Sequence, residues 1–421
     1  MWTINLLSAF LTVTVGFILL INLRFFFILH PIRCAGRLFE MISERSLRRS
    51  LFLALAGTLG VGNIYGVALG IMLGGAGSVF WLFVSSIFAM AVKYSECVLA
   101  SAGNFGKRGM MAPLERNFGA FGAPIARSYA LFMLLLSLSM GAFIQADSLI
   151  SSAVSFLSID KMLVASAFLI LVIFVISGGG EKIKNATEAL IPIATIAYVV
   201  LCLIVIMKDA SRLFEAFYRV ISSAFSIGAF LGGSITVISF SAFSQGFARG
   251  MLSNEAGAGT SAMAHTESKI EGADVGLFGI AEIFFDTNLL CMLTAFVILL
   301  ESDTPSLSPS PMSLVFSSFR AGIGEWALIP LLISIMIFAY STVICWYYYG
   351  VRCLGYLGGD RFIFAYCFLF SLAILAPAFL DSLAMVYASD ILLFLMSVPT
   401  LSCLFVNRKM IAKKTALSGL L

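Results

Sequence analysis

Eleven apolar runs are the feature that most restricts what this chain can fold into, because a helix needs about 20 apolar residues to cross a bilayer. The runs occupy about 4–29, 50–73, 77–101, 125–157, 161–177, 186–207, 218–248, 275–300, 322–350, 361–380 and 383–406. Only 11% of the residues are charged, whereas soluble domains have about 25%. The sequence therefore predicts an all-α polytopic membrane protein whose partner is the lipid bilayer, and nothing in it favours nucleic-acid binding.

Basic residues predict the orientation of these helices. If the basic tail at 408–421 is cytoplasmic, the odd number of helices places the N-terminus outside. Twenty-one of the 26 Lys and Arg residues then lie inside or at inner helix ends, as expected for a multi-pass protein of the cell (inner) membrane. The same bias supports the count of eleven, because one missed helix would invert every later loop.

The helices also predict an internal repeat. A first helix and a basic linker occupy 1–49, which leaves five helices in 50–217 and five in 218–407. Five is an odd number, so the two halves have opposite orientations. Each half opens with a glycine-interrupted helix, around Gly57 to Gly62 in the first half and around Gly228, Gly232 and Gly233 in the second. Paired interruptions of this kind indicate a transporter site, although glycines can also serve close helix packing.

Enzyme chemistry is not indicated. The chain has two histidines and neither an HExxH nor a GxSxG motif, so little acid–base equipment is present. Its eight cysteines follow no metal or disulfide spacing. We therefore expect a non-enzymatic protein with no cofactor.

Several stretches are similar to one transporter family. GTLGVGNIYGVA at 57–68, GGAGSVFWLFVSSIFAMAVKYSE at 74–96 and FAYSTVICWYYYGVRCLGYL at 338–357 resemble motifs of the alanine/glycine:cation symporters, also called sodium:alanine symporters. RGMLSNEAGAGTSAMAH at 249–265 is similar to the most diagnostic of them. The resemblance implies a leucine-transporter-type fold, with two inverted five-helix repeats and one extra N-terminal helix. It also implies symport of sodium with a small neutral amino acid. Val61 and Tyr65 depart from the family pattern, which affects the expected pocket.

The resemblance and the helix interruptions together predict a substrate site. A zwitterion needs amides for its carboxylate and acceptors for its ammonium, and a broken helix offers both. Gln145 lies on a stripe of small and polar residues and would contact the substrate or brace the broken helix. The resemblance assigns Trp346 to the pocket wall. The predicted substrate-binding residues are Gly60, Gly62, Asn63, Gln145, Gly232, Gly233 and Trp346.

A sodium site is predicted beside the first interruption. The resemblance pairs carbonyl oxygens near Ala56 and Leu59 with the hydroxyls of Ser341 and Thr342. These hydroxyls could instead bond back to their own helix. Asp286 is an acidic residue at membrane depth, where such residues are functional by default. It would contribute to a second cation site or act as a structural brace.

Asn254 and Glu255 are predicted to form a gate on the inner side, between the seventh and eighth helices. The alternative is that this segment only caps a short helix.

The most complete hypothesis is sodium-coupled uptake of alanine or glycine by alternating access. Proton coupling through Glu282 or Asp286 is an alternative, as is an amino-acid sensor that does not transport.

Overall fold

The computed structural model describes residues 2–101, 108–157, 159–225, 234–265, 272–303, 305–380 and 383–420. These residues form helices and their connections. The helices are α1 Trp2–Asn22, α2 Phe26–Leu29, α3 Pro31–Ile42, α4 Arg45–Thr58, α5 Val67–Gly74, α6 Gly77–Ser101, α7 Met111–Asn117, α8 Gly122–Leu136, α9 Gln145–Leu157, α10 Lys161–Ile176, α11 Gly179–Lys208, α12 Leu213–Ala224, α13 Ser234–Asn254, α14 Thr260–Ala264, α15 Ala273–Ile283, α16 Met292–Glu301, α17 Pro311–Ile323, α18 Leu328–Leu357, α19 Ile363–Leu375 and α20 Leu383–Leu417.

Three short π-helical segments either precede an α-helix or connect two α-helices into one continuous helical stretch. They are Gly62–Gly66 before α5, Ser137–Ile144 between α8 and α9, and Phe284–Cys291 between α15 and α16. Each of them contains buried residues. Since π-helical turns occur often at functional sites, these buried segments are candidate positions for one.

Membrane-crossing helices are confirmed in outline. Within the described residues, six helical stretches are long and apolar enough to cross a bilayer, and a seventh joins them if α4 and α5 count as one bent span. Three shorter apolar helices lie at Leu7–Asn22, Lys161–Ile176 and Ile363–Ala378. Large apolar side chains such as Ile170, Phe174 and Phe364 are exposed, as expected for helices that face lipid. The count of eleven and the inverted repeat stay predictions.

The predicted run at 218–248 has the wrong bounds. Helix α12 ends at Ala224, and α13 begins at Ser234 and continues to Asn254. The apolar run stops at Arg249 in the sequence, but the helix does not, because Arg249 is buried and lies 3.7 Å from the carboxylate of Asp390 on α20. Gly228, Gly232 and Gly233 lie outside the described residues.

The interruption predicted in the first repeat is confirmed. Helix α4 ends at Thr58, Leu59 leaves the helical conformation, and the axes before and after the break differ by 46°. Two ion pairs hold the other end of α4 against α11: Arg48 to Glu188 at 3.0 Å and Arg49 to Glu181 at 2.9 Å. The break therefore lies in the interior, whereas the start of α4 is fixed by charges.

A second interruption separates α13 from α14. Glu255, Gly257 and Gly259 have positive φ angles of 53°, 91° and 75°, and a positive φ is strained for a non-glycine residue. The segment is buried rather than lying in an exposed inner loop. Glu96 accepts a hydrogen bond from the amide of Gly257 at 2.7 Å, and Tyr129 donates one to the carbonyl of Ala258 at 2.6 Å. These two hydrogen bonds satisfy non-helical backbone groups in the interior of the protein.

Candidate functional site

A small cavity of about 30 Å³ lies between the two interruptions. It has room for two or three water molecules, so an amino acid would have to push its walls apart. Four of the residues predicted from the sequence lie on the wall: Gly60, Gly62, Gln145 and Glu255. The full lining is Gly57, Thr58, Gly60, Gly62, Tyr65, Met140, Ile144, Gln145, Ser148, Leu252, Ser253, Glu255 and Val386.

The break in α4 removes the usual donors from three carbonyl groups. In a regular helix the amides of Gly60, Val61 and Asn63 would bond to the carbonyls four residues earlier. Here Gly60 donates to Thr58 at 2.8 Å, and Asn63 donates to Gly60 at 3.3 Å. Val61 donates to the side chain of Gln145 at 3.1 Å. The carbonyls of Ala56, Gly57 and Leu59 thus lose their helical partners.

One of these three carbonyls gains a side-chain partner. Trp346 of α18 is fully buried and donates from Nε1 to the carbonyl of Gly57 at 3.3 Å. Its indole packs against Gly141, where any side chain would collide with it. Trp346 therefore lies behind Gly57 and stabilises the break, and it is not among the residues lining the cavity.

The carbonyls of Ala56 and Leu59 remain, and these are the two that the sequence predicted for sodium. The hydroxyl of Thr342 is buried and has no hydrogen-bond partner among the described residues. A Cβ on Gly60 would lie 2.9 Å from this hydroxyl, so Thr342 lies directly against the break. Ser341 instead donates to the carbonyls of Ile337 and Phe338, at 2.8 and 3.0 Å. The two adjacent hydroxyls thus have different roles.

Asp286 lies in the π-helical segment after α15 and is fully buried. Its Oδ1 accepts from Asn63 Nδ2 at 2.6 Å, and its Oδ2 accepts from Thr287 at 2.7 Å. The hydroxyl of Ser253 lies 3.0 to 3.1 Å from both carboxylate oxygens and from Asn63 Oδ1. This cluster ties the broken helix to the end of α13, which is the arrangement expected of a brace.

Glu282 belongs to a separate cluster. It bonds to His265 Nε2 at 2.8 Å and to Ser261, and lies 3.8 Å from Lys93 Nζ. Glu282 and Asp286 are one helical turn apart in the sequence. In the structure each carboxylate has its own partners, and Lys93 supplies a positive charge that sequence spacing alone did not assign to it.

Asn254 and Glu255 lie at the second interruption. Asn254 Oδ1 accepts from the amide of Ala256 at 3.1 Å, which is the capping contact considered as the alternative. Glu255 lines the cavity, and neither of its carboxylate oxygens has a hydrogen-bond partner among the described residues. Their predicted role as a gate stays a prediction. Sequence reasoning assigned no site role to Ser253, although it falls inside a family-like motif. Tyr65, whose departure from the family pattern affects the expected pocket, lines the cavity.

The comparisons with known proteins identify the family of the chain. The model of the sodium:alanine symporter family matches residues 1–417. The chain belongs to the sodium:alanine symporter family. Among relatives, an uncharacterized transporter of Haemophilus influenzae is 30% identical over 413 residues, covering 95% of this chain and 90% of the relative. The sodium/alanine symporter AgcS of Methanococcus maripaludis is 32% identical over 330 residues, covering 76% and 72%.

The amino-acid carrier protein AlsT of Bacillus subtilis is 28% identical over 353 residues, covering 82% of this chain and 72% of the relative. Among solved structures, a Na⁺-coupled sialic acid symporter has a TM-score of 0.56 at 12% identity, covering 97% of this chain and 98% of that one. The manganese transporter of Eremococcus coleocola has a TM-score of 0.53 at 13% identity, covering 83% and 75%. At such low identity these two show a shared fold alone.

Membership in the sodium:alanine symporter family makes the chain a multi-pass membrane transporter and not an enzyme. It also supports cation-coupled amino-acid symport with sodium as the coupling ion. Two of the family-like stretches coincide with the breaks in the helices. The stretch 57–68 contains the break in α4, and the stretch 249–265 contains the break between α13 and α14.

Proposed function

We propose that the protein couples sodium entry to the uptake of a small neutral amino acid, alanine or glycine, by alternating access. The observation that carries this proposal is the break in α4, where the carbonyls of Ala56 and Leu59 lose their helical donors. The hydroxyl of Thr342 lies against Gly60 at this break and has no hydrogen-bond partner among the described residues. Gly60 and Gly62 line the small cavity. Broken helices of this kind hold ions and substrates in secondary transporters.

The sodium ion would be held by neutral oxygens. Ala56 and Leu59 supply carbonyls that have lost their helical donors, and Thr342 supplies its hydroxyl. Ser341 would join them only if its hydroxyl broke its hydrogen bonds to the carbonyls of Ile337 and Phe338. Each sodium ion entering down 100 mV contributes about 2.3 kcal/mol, which supports roughly a fiftyfold accumulation of substrate. The sodium concentration gradient adds to this.

The substrate would lie in the cavity itself. The amide of Val61 already donates its hydrogen bond to Gln145. The substrate carboxylate would therefore accept a hydrogen bond from the amide of Gly62. The unbonded carboxylate of Glu255 would accept the ammonium group. Tyr65 narrows the cavity and favours a small side chain. Asp286 and Asn63 would keep this arrangement in place, and Glu255 with Asn254 would also control access from the inner side.

The wider architecture is part of the proposal. Residues 1–49 would form the extra helix and basic linker, 50–217 and 218–407 the two inverted repeats, and 408–421 a cytoplasmic tail, with the N-terminus outside. The break in α4 and the bias of basic residues support it. The glycines predicted to interrupt the second half lie outside the described residues. Single cysteines placed at residue 2 and residue 420, labelled from outside intact cells, test the orientation: only the first should react.

Uptake into proteoliposomes tests the function. Alanine or glycine uptake should require a sodium gradient and should fall at least about tenfold in Asn63→Ala, since Asn63 ties the broken helix to Asp286 by a buried hydrogen bond of 2.6 Å. Asn407→Ala is the matched control, because it removes a 2.8 Å contact to Asn117 away from the cavity. Uptake that persists when choline replaces sodium would contradict sodium coupling.

Proton coupling is a second candidate, because the structure buries carboxylates at Asp286, Glu282 and Glu255. Uptake driven by a pH gradient without sodium would favour it. Binding of alanine without counterflow would indicate a sensor instead.

A further inference from the structure

The segment between α1 and α4 was predicted to be a basic linker, but it contains the helix α3 (Pro31–Ile42). Helix α1 ends at Asn22, and Arg24 and Phe25 have positive φ angles of 50° and 54°. Residues with such a φ do not continue a right-handed helix. Helix α3 is therefore a separate element and not an extension of the first span.

Arg37 places α3 at one end of the membrane-crossing helices. Its guanidinium donates to the carboxylate of Asp274 at 3.0 Å and to the carbonyl of Ser418 at 2.8 Å. Asp274 lies in the first turn of α15, and Ser418 directly follows α20. Both helices belong to stretches that are long and apolar enough to cross a bilayer. Because α3 contacts the ends of these two spans, it lies at the surface of the membrane.

Helix α3 has two apolar faces. The inward face is packed, since Cys34 is buried and Leu38 contacts the hydrophobic core. The other face bears Ile32 and Phe39, which are seven residues apart and therefore lie on the same side of the helix. Their exposed fractions are 87% and 73%. In the part of the chain that the structure describes, nothing covers this second face.

The exposed face of α3 continues an apolar surface that begins on α1. Phe10, Phe17 and Ile21 of α1 are exposed, as expected for side chains that contact acyl chains in a membrane protein. Ile28 and Leu29, in the short helix α2, are exposed as well. Exposed apolar side chains thus follow the chain from α1 to α3 without a break at the end of the span.

Charged residues flank this apolar face. Arg33 and Glu40 lie on a third side of α3, and both are exposed. Neither Arg24 nor Arg33 forms a hydrogen bond or an ion pair with a described residue. A helix with one apolar and one charged face typically lies in the plane of the bilayer interface. Its long basic side chains can reach the phosphates while their stems stay beside the acyl chains.

We propose that α3 is an interfacial helix that binds the phospholipid leaflet at the end of α1. Ile32 and Phe39 lie in the acyl-chain boundary, and Arg24 and Arg33 contact lipid phosphates. Such helices bury their apolar face about 5–10 Å into this boundary. Through Arg37, α3 connects the lipid surface to α15 and α20. The inference depends on the membrane location of the protein and not on its substrate or its coupling ion.

Photo-crosslinking of the full-length protein tests this contact in proteoliposomes of phosphatidylethanolamine and phosphatidylglycerol. The probe p-benzoylphenylalanine takes the place of Phe39 in one variant and of Glu40 in the matched control. These neighbouring side chains are both exposed but point about 100° apart. Intact-protein mass spectrometry should show phospholipid adducts at residue 39 and their loss at residue 40. The probe in place of Ile32 should behave as it does at residue 39.

The exposed positions of the probes separate lost contact from lost folding, because size-exclusion profiles should be the same in all three variants. A crosslink from residue 39 to a second copy of the chain would overturn the proposal, since the apolar face would then be a protein interface. Equal yields of lipid adducts at residues 39 and 40 would also overturn it, as would the absence of lipid adducts at residues 32 and 39.

Discussion

The two sides of the break in α4 differ in how their polar groups are satisfied. On the side of the π-helical segment Phe284–Cys291, Asn63 meets Asp286, and both carboxylate oxygens accept hydrogen bonds. On the side of α18, the hydroxyl of Thr342 is buried and has no partner in the described part of the chain. The carbonyls of Ala56 and Leu59 on the broken helix have lost their helical donors.

This difference suggests that the polar groups on one side stabilise the fold and that those on the other side bind a ligand. A buried polar group without a partner is unfavourable by about 1–3 kcal/mol, so natural proteins rarely keep one without a use. The charged side has its hydrogen bonds complete, and we propose that it acts as a brace. The neutral side is where we propose that a sodium ion binds, held by several uncharged oxygen ligands. The comparison can be tested from both sides.

Removing the brace should have the largest effect. Asp286→Ala leaves the polar groups of Asn63, Ser253 and Thr287 without their acceptor. We expect the free energy of unfolding to fall by about 3 kcal/mol or more, measured by reversible denaturation in detergent micelles. Asp303→Ala is the control, because its carboxylate is 79% exposed and its ion pairs lie at the surface. A stable Asp286→Ala variant would mean that the charged side is not a brace.

Crowding the neutral side should have an intermediate effect. In Gly60→Ala the new Cβ would lie 2.9 Å from Thr342 Oγ1 and 3.1 Å from both polar atoms of Gln145. Overpacking of this kind typically destabilises by about 1–3 kcal/mol, so sodium-driven uptake and the unfolding midpoint should both fall. Gly66→Ala is the matched control, because its Cβ would meet nothing within 4 Å. Equal behaviour of the two variants would show that Gly60 is not in tight contact.

Removing the unbonded hydroxyl should have the smallest effect on stability and a specific effect on the ion. Thr342→Val should raise the sodium concentration needed for half-maximal uptake by about tenfold, with little change in unfolding, because that hydroxyl makes no hydrogen bond to any residue that the structure describes. Ser341→Ala should change sodium dependence by less than about twofold. If Ser341→Ala has the larger effect, the two hydroxyls have been assigned the wrong way round.

Sequence reasoning predicted the break in α4 well, because a cluster of glycines in an apolar run has a direct backbone consequence. It could not separate Ser341 from Thr342, since adjacent residues on a helix point about 100° apart and only the packing shows which one meets the break. It also ended the seventh helix too early. Arg249 reads as a boundary in the sequence, but Asp390, more than a hundred residues later, lets it stay inside the helix.

The break between α13 and α14 was harder to predict, because it also depends on residues that are distant in the sequence. Asn254 to Gly259 is rich in small and polar residues, which is also typical of a surface loop. Contacts from Glu96 and Tyr129 on other helices keep this segment in the interior. The partners of Glu282 were missed in the same way, because Lys93 and His265 lie far from it in the chain.

The ion pairs at the start of α4 bear on how the broken helix can move. Arg48 and Arg49 bind Glu188 and Glu181 at partly exposed positions, where such pairs contribute about 0–1 kcal/mol. Water can compete for these contacts but not for the buried contact of Asn63 with Asp286. The two ends of this segment are therefore held unequally, by ion pairs that water can weaken at the start of α4 and by a buried hydrogen bond at Asn63. We expect any movement of the segment to begin at its charged end.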